Sequence, residues 1–204
     1  MVALSIVLYM ILKEVTTVPD NKWQNIVPDF VDFMASSGDE DLVSPDMLKY
    51  LALNHFFTAP ASTKYHGNYE HGLFDHSFAV AKFLVQLTED NRLTWKNPRS
   101  PYIVGMFHDL CKIDQYKVIS HPKDPDIRYD YNPDTLLKGH GDKSVMLLSQ
   151  FYTLTDEEIM CIRYHMGAFT DKSEWNDYTR AVSQYPNVLW THQADMLASH
   201  VAGV

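Results

Sequence analysis

Six of the chain's metal-competent side chains form a set spread over five segments. His76 stands in "LFDHSFAVAKF", on the edge of an apolar stripe made by Leu73, Val80, Phe83, Leu84 and Leu87. His108 and Asp109 are adjacent in "YIVGMFHDLCKIDQY", directly after the mostly apolar run Tyr102 to Phe107. His140 lies in "KGHGDKS", just ahead of a helix start, and His165 ends an amphipathic helix at "IRYHMG". Asp195 is flanked by Ala194, Met196, Leu197 and Ala198 in the last helix. The chain has 10 histidines, and each taken singly is more often a core or surface residue than a ligand. The pattern differs because most of these six interrupt faces that a helix needs for packing. An ionised carboxylate is costly to bury unless it is paired, hydrogen-bonded or bound to metal. A divalent ion would account for Asp109 and Asp195 together. Mixed nitrogen and oxygen ligands suit Mn, Fe, Ni, Co or Zn better than Ca. Two His and two Asp would hold one ion, and two further His a second, with a carboxylate bridging. Paired ions of that kind activate water against phosphate esters.

The elements that must position these residues read as helices. Trp23 to Ser36 carries apolar residues at helical spacing. Ser44 and Pro45 form an N-cap and N1 pair opening a helix to about Phe56. A long helix follows from Leu73, and another runs from Arg99 to about Cys111. "GDKSVMLLSQF" reads as helical. Thr155 with Glu158 three residues later is a capping box. Trp175 to about Tyr185 reads as helix, and the last helix is expected from Asn187 to Ala202. Between these lies Thr58 to Gly72, a long stretch with no apolar period, and such loops in compact domains are often functional. The alternating, proline-broken region around 116–133 predicts a short two-stranded ribbon or an irregular excursion. The expected fold is an all-α single-domain helical bundle. Residues 1–57 are N-terminal helices packing on a core formed by 58–204.

The bulk numbers are consistent with that. The 204 residues suit one domain, and 46% hydrophobic and 13% aromatic content is enough for a core. A net charge of −9 argues against duplex DNA as a partner, which needs a basic face. A small phosphorylated ligand stays compatible, since a metal can supply local positive charge. Cys111 and Cys161 read as reduced, buried thiols of a cytoplasmic protein rather than a disulfide framework. The start "MVALSIVLYMIL" is too short to span a bilayer and lacks a signal-peptide pattern, so it reads as a buried or docking segment and no membrane partner is expected.

The ordered set His76, His108–Asp109, Asp195 resembles the HD superfamily of metal-dependent phosphohydrolases, over about Thr58 to Ala202. "GLFDHSFAVAKF" is similar to the family's first-histidine helix, and "FHDLCK" to its His-Asp-hydrophobic-small-Lys turn. His140 and His165 fall where the two-metal branch has its extra histidines. That branch includes HD-type 3′–5′ exoribonucleases and cyclic-dinucleotide and cyclic-nucleotide phosphodiesterases. "TAPASTKYHGNYEHGLFDHS" is nearest to the exoribonuclease-like pattern. Two departures stand out. His71 occupies a position where glycine is expected, and Ser120 to Leu137 has no counterpart.

The resemblance implies an HD-type bundle holding one or two divalent metal ions. It implies hydrolysis, by a metal-activated water, of a phosphoester in a nucleotide or short single-stranded nucleic acid. His76, His108, Asp109 and Asp195 would bind the first ion. His140 and His165 would bind a second, bridged by Asp109, or contact substrate phosphate in a one-metal enzyme. Lys112 would act on the water or on transition-state charge, or else be a snorkelling surface lysine. His66 and His71 are candidates to protonate the leaving oxygen, or ordinary loop histidines. Lys64 and Arg163 are candidates for phosphate binding, or solvated surface. His192 would line the site or orient a ligand. The same six-ligand set also fits a di-iron oxygenase resembling inositol oxygenase, and a non-catalytic metal-bound nucleotide-binding module.

Overall fold

The computed structural model describes residues 23–119, 128–137 and 139–204. The apolar start, with its suggested docking role, lies outside the described residues. Eight α-helices are described: α1 (Trp23–Ala35), α2 (Pro45–Leu53), α3 (Gly72–Asn91), α4 (Ser100–Phe107), α5 (His140–Leu148), α6 (Asp156–Arg163), α7 (Trp175–Gln184) and α8 (Asn187–Leu197). A two-stranded antiparallel ribbon of β1 (Tyr116–Ile119) and β2 (Arg128–Tyr131) pairs Tyr116 with Tyr131 and Ile119 with Arg128. The fold is thus all-α with a minor ribbon excursion. Among the described residues no helix is long and apolar enough to cross a membrane.

The local signals act as their chemistry dictates. Ser44 caps α2 by accepting from the Met47 amide, with Pro45 at the first position. The Thr155–Glu158 capping box opens α6, and Glu158 also accepts from Ser100 Oγ at 2.8 Å, tying the starts of α6 and α4 together. α3 packs most extensively on α4 and α8. Gly105 makes the first of these contacts possible, since a Cβ there would stand 2.5 Å from the Ala81 Cα.

Behind the site lies an aromatic core. Phe30 of α1 meets Phe57, Phe74 and Phe107 edge-on at 5.6, 6.4 and 6.3 Å, and all four are buried. Phe74 is two residues before His76, and Phe107 is next to His108. The N-terminal helices therefore back the segments that carry the polar cluster.

Two elements beside the cluster end earlier than their sequence pattern suggests. α4 stops at Phe107, and the chain tightens into a 3₁₀ turn over Leu110–Asp114 instead of continuing to Cys111. α8 stops at Leu197 and widens into a π-type turn over Ala198–Ala202. Both changes follow directly on, or close to, a cluster residue. In a continued α-helix successive side chains point about 100° apart, so His108 and Asp109 together need the altered geometry to face one centre.

Candidate metal centre

Four imidazoles and two carboxylates converge at the junction of α3, α4, α5, α6 and α8. His76 (α3) and His108 (end of α4) are fully buried, Asp109 is 2% exposed and His165, just beyond α6, is 1% exposed. His140 is the first residue of α5, and Asp195 lies in α8. Gly141 lets α5 approach, because a Cβ there would meet the Arg163 backbone at 2.4 Å.

Each imidazole is held by its Nδ1 and presents its Nε2. His108 Nδ1 donates to the Gly105 carbonyl at 2.8 Å, and His165 Nδ1 to the Ile162 carbonyl at 2.7 Å, the same three-residue reach at the end of two different helices. His76 Nδ1 donates to the Val204 carbonyl oxygen at 3.0 Å. His140 Nδ1 lies 3.6 Å from Cys111 Sγ. A carbonyl partner at Nδ1 fixes the tautomer and leaves a lone pair on Nε2, the arrangement of metal-ligating histidines.

The four Nε2 atoms divide over the two oxygens of Asp109. Oδ2 lies 3.6 Å from His76 and 3.5 Å from His108. Oδ1 lies 3.5 Å from His140 and 3.4 Å from His165. Asp195 Oδ1 joins the first pair, 3.3 Å from His76 Nε2. Ligand atoms within 4.8 Å of one another form the groups His76–His108–Asp109, His108–His165–Asp195 and Asp109–His140–His165.

These residues fit a cation. Asp109 Oδ1 and His165 Nε2 are buried with no hydrogen-bond partner. A lone pair on Nε2 facing a carboxylate oxygen at 3.4 Å is favourable only with positive charge between them. The electrostatics agree. Burial disfavours charge on Asp109, but Lys112 and the surrounding imidazoles outweigh it and hold the carboxyl well below its usual range. Burial likewise opposes Asp195, and the closeness of His76 with the charges of His108 and His165 brings it down. Burial lowers His108 to about 3 and, with Lys112 and His165, His140 to about 4, so both are neutral imidazoles at pH 7. His165 is raised against its burial by Asp109, the same demand for positive charge met by a proton.

The remaining sequence candidates separate. Lys112 is buried, with Nζ 2.6 Å from Asp109 Oδ2. It is therefore part of the cluster, and a snorkelling surface role is ruled out. His66 lies over His76, ring centres 5.0 Å apart, and burial with the nearby His76 and Lys112 lowers it to about 4. The Thr58–Gly72 loop folds on itself to put it there: Ala61 N–H donates to the Gly67 carbonyl, Leu73 N–H to Ala59, and Ser62 Oγ to the His66 carbonyl at 2.9 Å. His71 sits elsewhere. It is 3% exposed at the base of that loop, with its Nδ1 2.6 Å from the Phe57 carbonyl and φ of 75°. This left-handed backbone is why glycine is the natural residue there. His192 Nδ1 donates to the His165 carbonyl at 2.8 Å, so it orients a cluster residue through the backbone. Arg163 is engaged by Asp142 at 3.1 Å and Glu174 at 3.4 Å, which leaves it poorly placed for phosphate. Lys64 is exposed on the loop.

Two residues escaped notice in the sequence. Lys143 is 3% exposed and ion-paired with Asp114 beside His140. Its spacing, three after His140, was the available signal. Ser144 Oγ accepts from the Cys111 amide at 3.0 Å and pins the turn after Asp109 to α5. The Cys111 thiol, raised by burial to about 12, is a packing group.

The chain is thus a helical protein with a buried His/Asp cluster able to hold a metal ion, an arrangement compatible with an HD-type site. Comparisons with protein-family models, curated proteins and solved structures find no match.

Proposed function

We propose that the chain is a metal-dependent phosphohydrolase acting on a phosphoester of a nucleotide or short single-stranded nucleic acid. The observation that carries this reading is the division of four Nε2 atoms into two pairs over the two oxygens of Asp109. His76, His108, Asp109 and Asp195 would hold one ion; Asp109, His140 and His165 would hold a second. Bound divalent ions supply Lewis acidity, a water of lowered pKa and charge neutralisation on a phosphoryl group.

The chain's own residues supply the rest. Lys112 keeps Asp109 ionised, and its ammonium would offset charge that grows on phosphoryl oxygens. His66, neutral at pH 7, donates a hydrogen bond to the leaving oxygen rather than carrying a full positive charge in the free protein. The aromatic core behind the site keeps the imidazoles in place and the far side dry.

Purified protein supplied with Mn²⁺ and a panel of nucleotides, cyclic nucleotides and short RNA and DNA should release phosphate or nucleoside. Asp109→Asn should abolish release. Lys112→Met should lower turnover by about 10² while the protein still binds metal. No turnover on any phosphate ester, together with an oxygen-reactive di-iron spectrum, would transfer the site to oxygenase chemistry.

A further inference from the structure

Two clefts open beside His140, and they differ in charge. One is lined by Asp142, Asp171, Glu174 and Arg163, with the arginine already engaged by Asp142 and Glu174. That cleft repels an anionic group. The other, of about 340 Å³, lies between the turn after β2 and the start of α5, and Gln115, Tyr131, Pro133, Leu137, His140 and Lys143 line it. Lys143 is ion-paired with Asp114, so this second cleft is electrically balanced. Tyr131, Pro133 and Leu137 give it apolar faces, and Gln115 and Lys143 give it polar edges. That mixture and volume are those of a small-molecule site.

The wall is built rather than incidental. Asn132 Nδ2 and Thr135 Oγ1 donate to the Asp114 carbonyl at 3.0 and 2.9 Å, and the Asn132 amide donates to the Gln115 carbonyl at 2.9 Å. The wall therefore hangs from the 3₁₀ turn that carries Lys112. His140 both lines the cleft and points its Nε2 at Asp109.

We propose that this balanced cleft seats the uncharged ring portion of the substrate, the nucleobase of a mononucleotide whose phosphate lies at the metal centre. The assignment rests on the phosphoester reading above and narrows it. A longer nucleic acid needs cations along its backbone. Among the described residues lining these two clefts the cations are Lys143 and Arg163, and both are already paired with carboxylates.

The test is titration of the full chain, loaded with Mn²⁺, with the four common ribonucleosides, their monophosphates and a trinucleotide. At least one monophosphate should bind, and its nucleoside should bind more weakly. Leu137→Trp, which fills the cleft, should weaken both by at least about tenfold. Asp109→Asn should weaken only the monophosphate. Tyr131→Ala, on the exposed ribbon, should act in the same direction as Leu137→Trp and serves if that variant fails to fold. Unchanged affinity in the cleft variants overturns the assignment. So does absence of nucleoside binding at about 10 mM, or a trinucleotide bound at least about tenfold tighter than the monophosphate. Nucleotide hydrolysis with unaltered KM in Leu137→Trp would leave the phosphohydrolase reading standing and remove the cleft. Cleft-dependent nucleoside binding without hydrolysis would do the reverse.

Discussion

His108 and His140 are neutral imidazoles in a place where the unfolded chain would carry protons, and this sets a pH dependence. Their folded values, about 3 and about 4, lie below the ordinary 6.5. The unfolded state therefore binds more protons as pH falls below 6.5, and stability is lost over that window. His165 runs the other way. Its raised value gives a contribution present below 6.5 and lost as pH rises through the folded value. Partly exposed His66 adds to the first group, reduced by solvent screening. Asp109 and Asp195 enter only at lower pH, since depressed carboxylates lose their contribution as pH falls below about 4. Below 6.5 His165 is protonated in both states and drops out, so the imbalance is about two protons, from His108 and His140, and metal-free protein should lose on the order of 2–3 kcal/mol per pH unit between about pH 6 and 4.5. Denaturant unfolding in chelator at several pH values reads this, and a flat or rising profile toward acid would contradict it. A second residue-scale outcome concerns His71. Its positive φ costs about 1 kcal/mol, and its bond to Phe57 returns about as much. His71→Gly should change stability by less than about 1 kcal/mol, whereas β-branched His71→Val should destabilise by about 2 kcal/mol or more. Equal losses in thermal unfolding would remove the backbone account. The expected glycine at this position was visible in the sequence, but only the backbone angle says why.

At the scale of elements, the site depends on how closely helices approach. Gly105 sits against Ala81, between the helix of His76 and the helix of His108. Gly105→Ala should force α3 and α4 apart at about 1–3 kcal/mol. It should also weaken metal affinity, because the two ligands no longer share one centre. Calorimetric metal titration beside a denaturation curve separates the two effects, and full affinity in a destabilised variant would break the link. Most of these elements were legible from apolar spacing and caps: Ser44–Pro45, Thr155–Glu158 and the stripe around His76 each gave a helix where one stands. What was not legible is where a helix changes pitch. Apolar spacing carries the helix on to about Cys111, and only the resemblance of "FHDLCK" to a turn pointed to a break there, because the 3₁₀ turn after Phe107 is imposed by the demand that His108 and Asp109 face one point. Lys143 was missed for a related reason. Its burial beside Asp114 depends on the 3₁₀ turn and α5 meeting, which is a tertiary fact.

Across the molecule as a whole, distant segments form a single cage around Asp109. The cluster residues come from both halves of the sequence, and Val204 reaches back to hold His76. The ordered set His76, His108, Asp109, His140, His165 and Asp195 was readable from the chain, and the resemblance implied Asp109 as the bridge, while which of its oxygens faces which imidazole was not. Metal should therefore stabilise the entire fold, by about 2.7 kcal/mol at a free concentration one hundred times Kd. The measurement that tests the cage most directly is metal stoichiometry by calorimetric titration with Mn²⁺ or Zn²⁺, in the wild type and in two variants. The wild type should take two equivalents, His140→Ala/His165→Ala should take one, and Asp109→Asn should lose tight binding of both. A wild type that binds no divalent metal, or an Asp109→Asn variant that binds two equivalents unchanged, would contradict it.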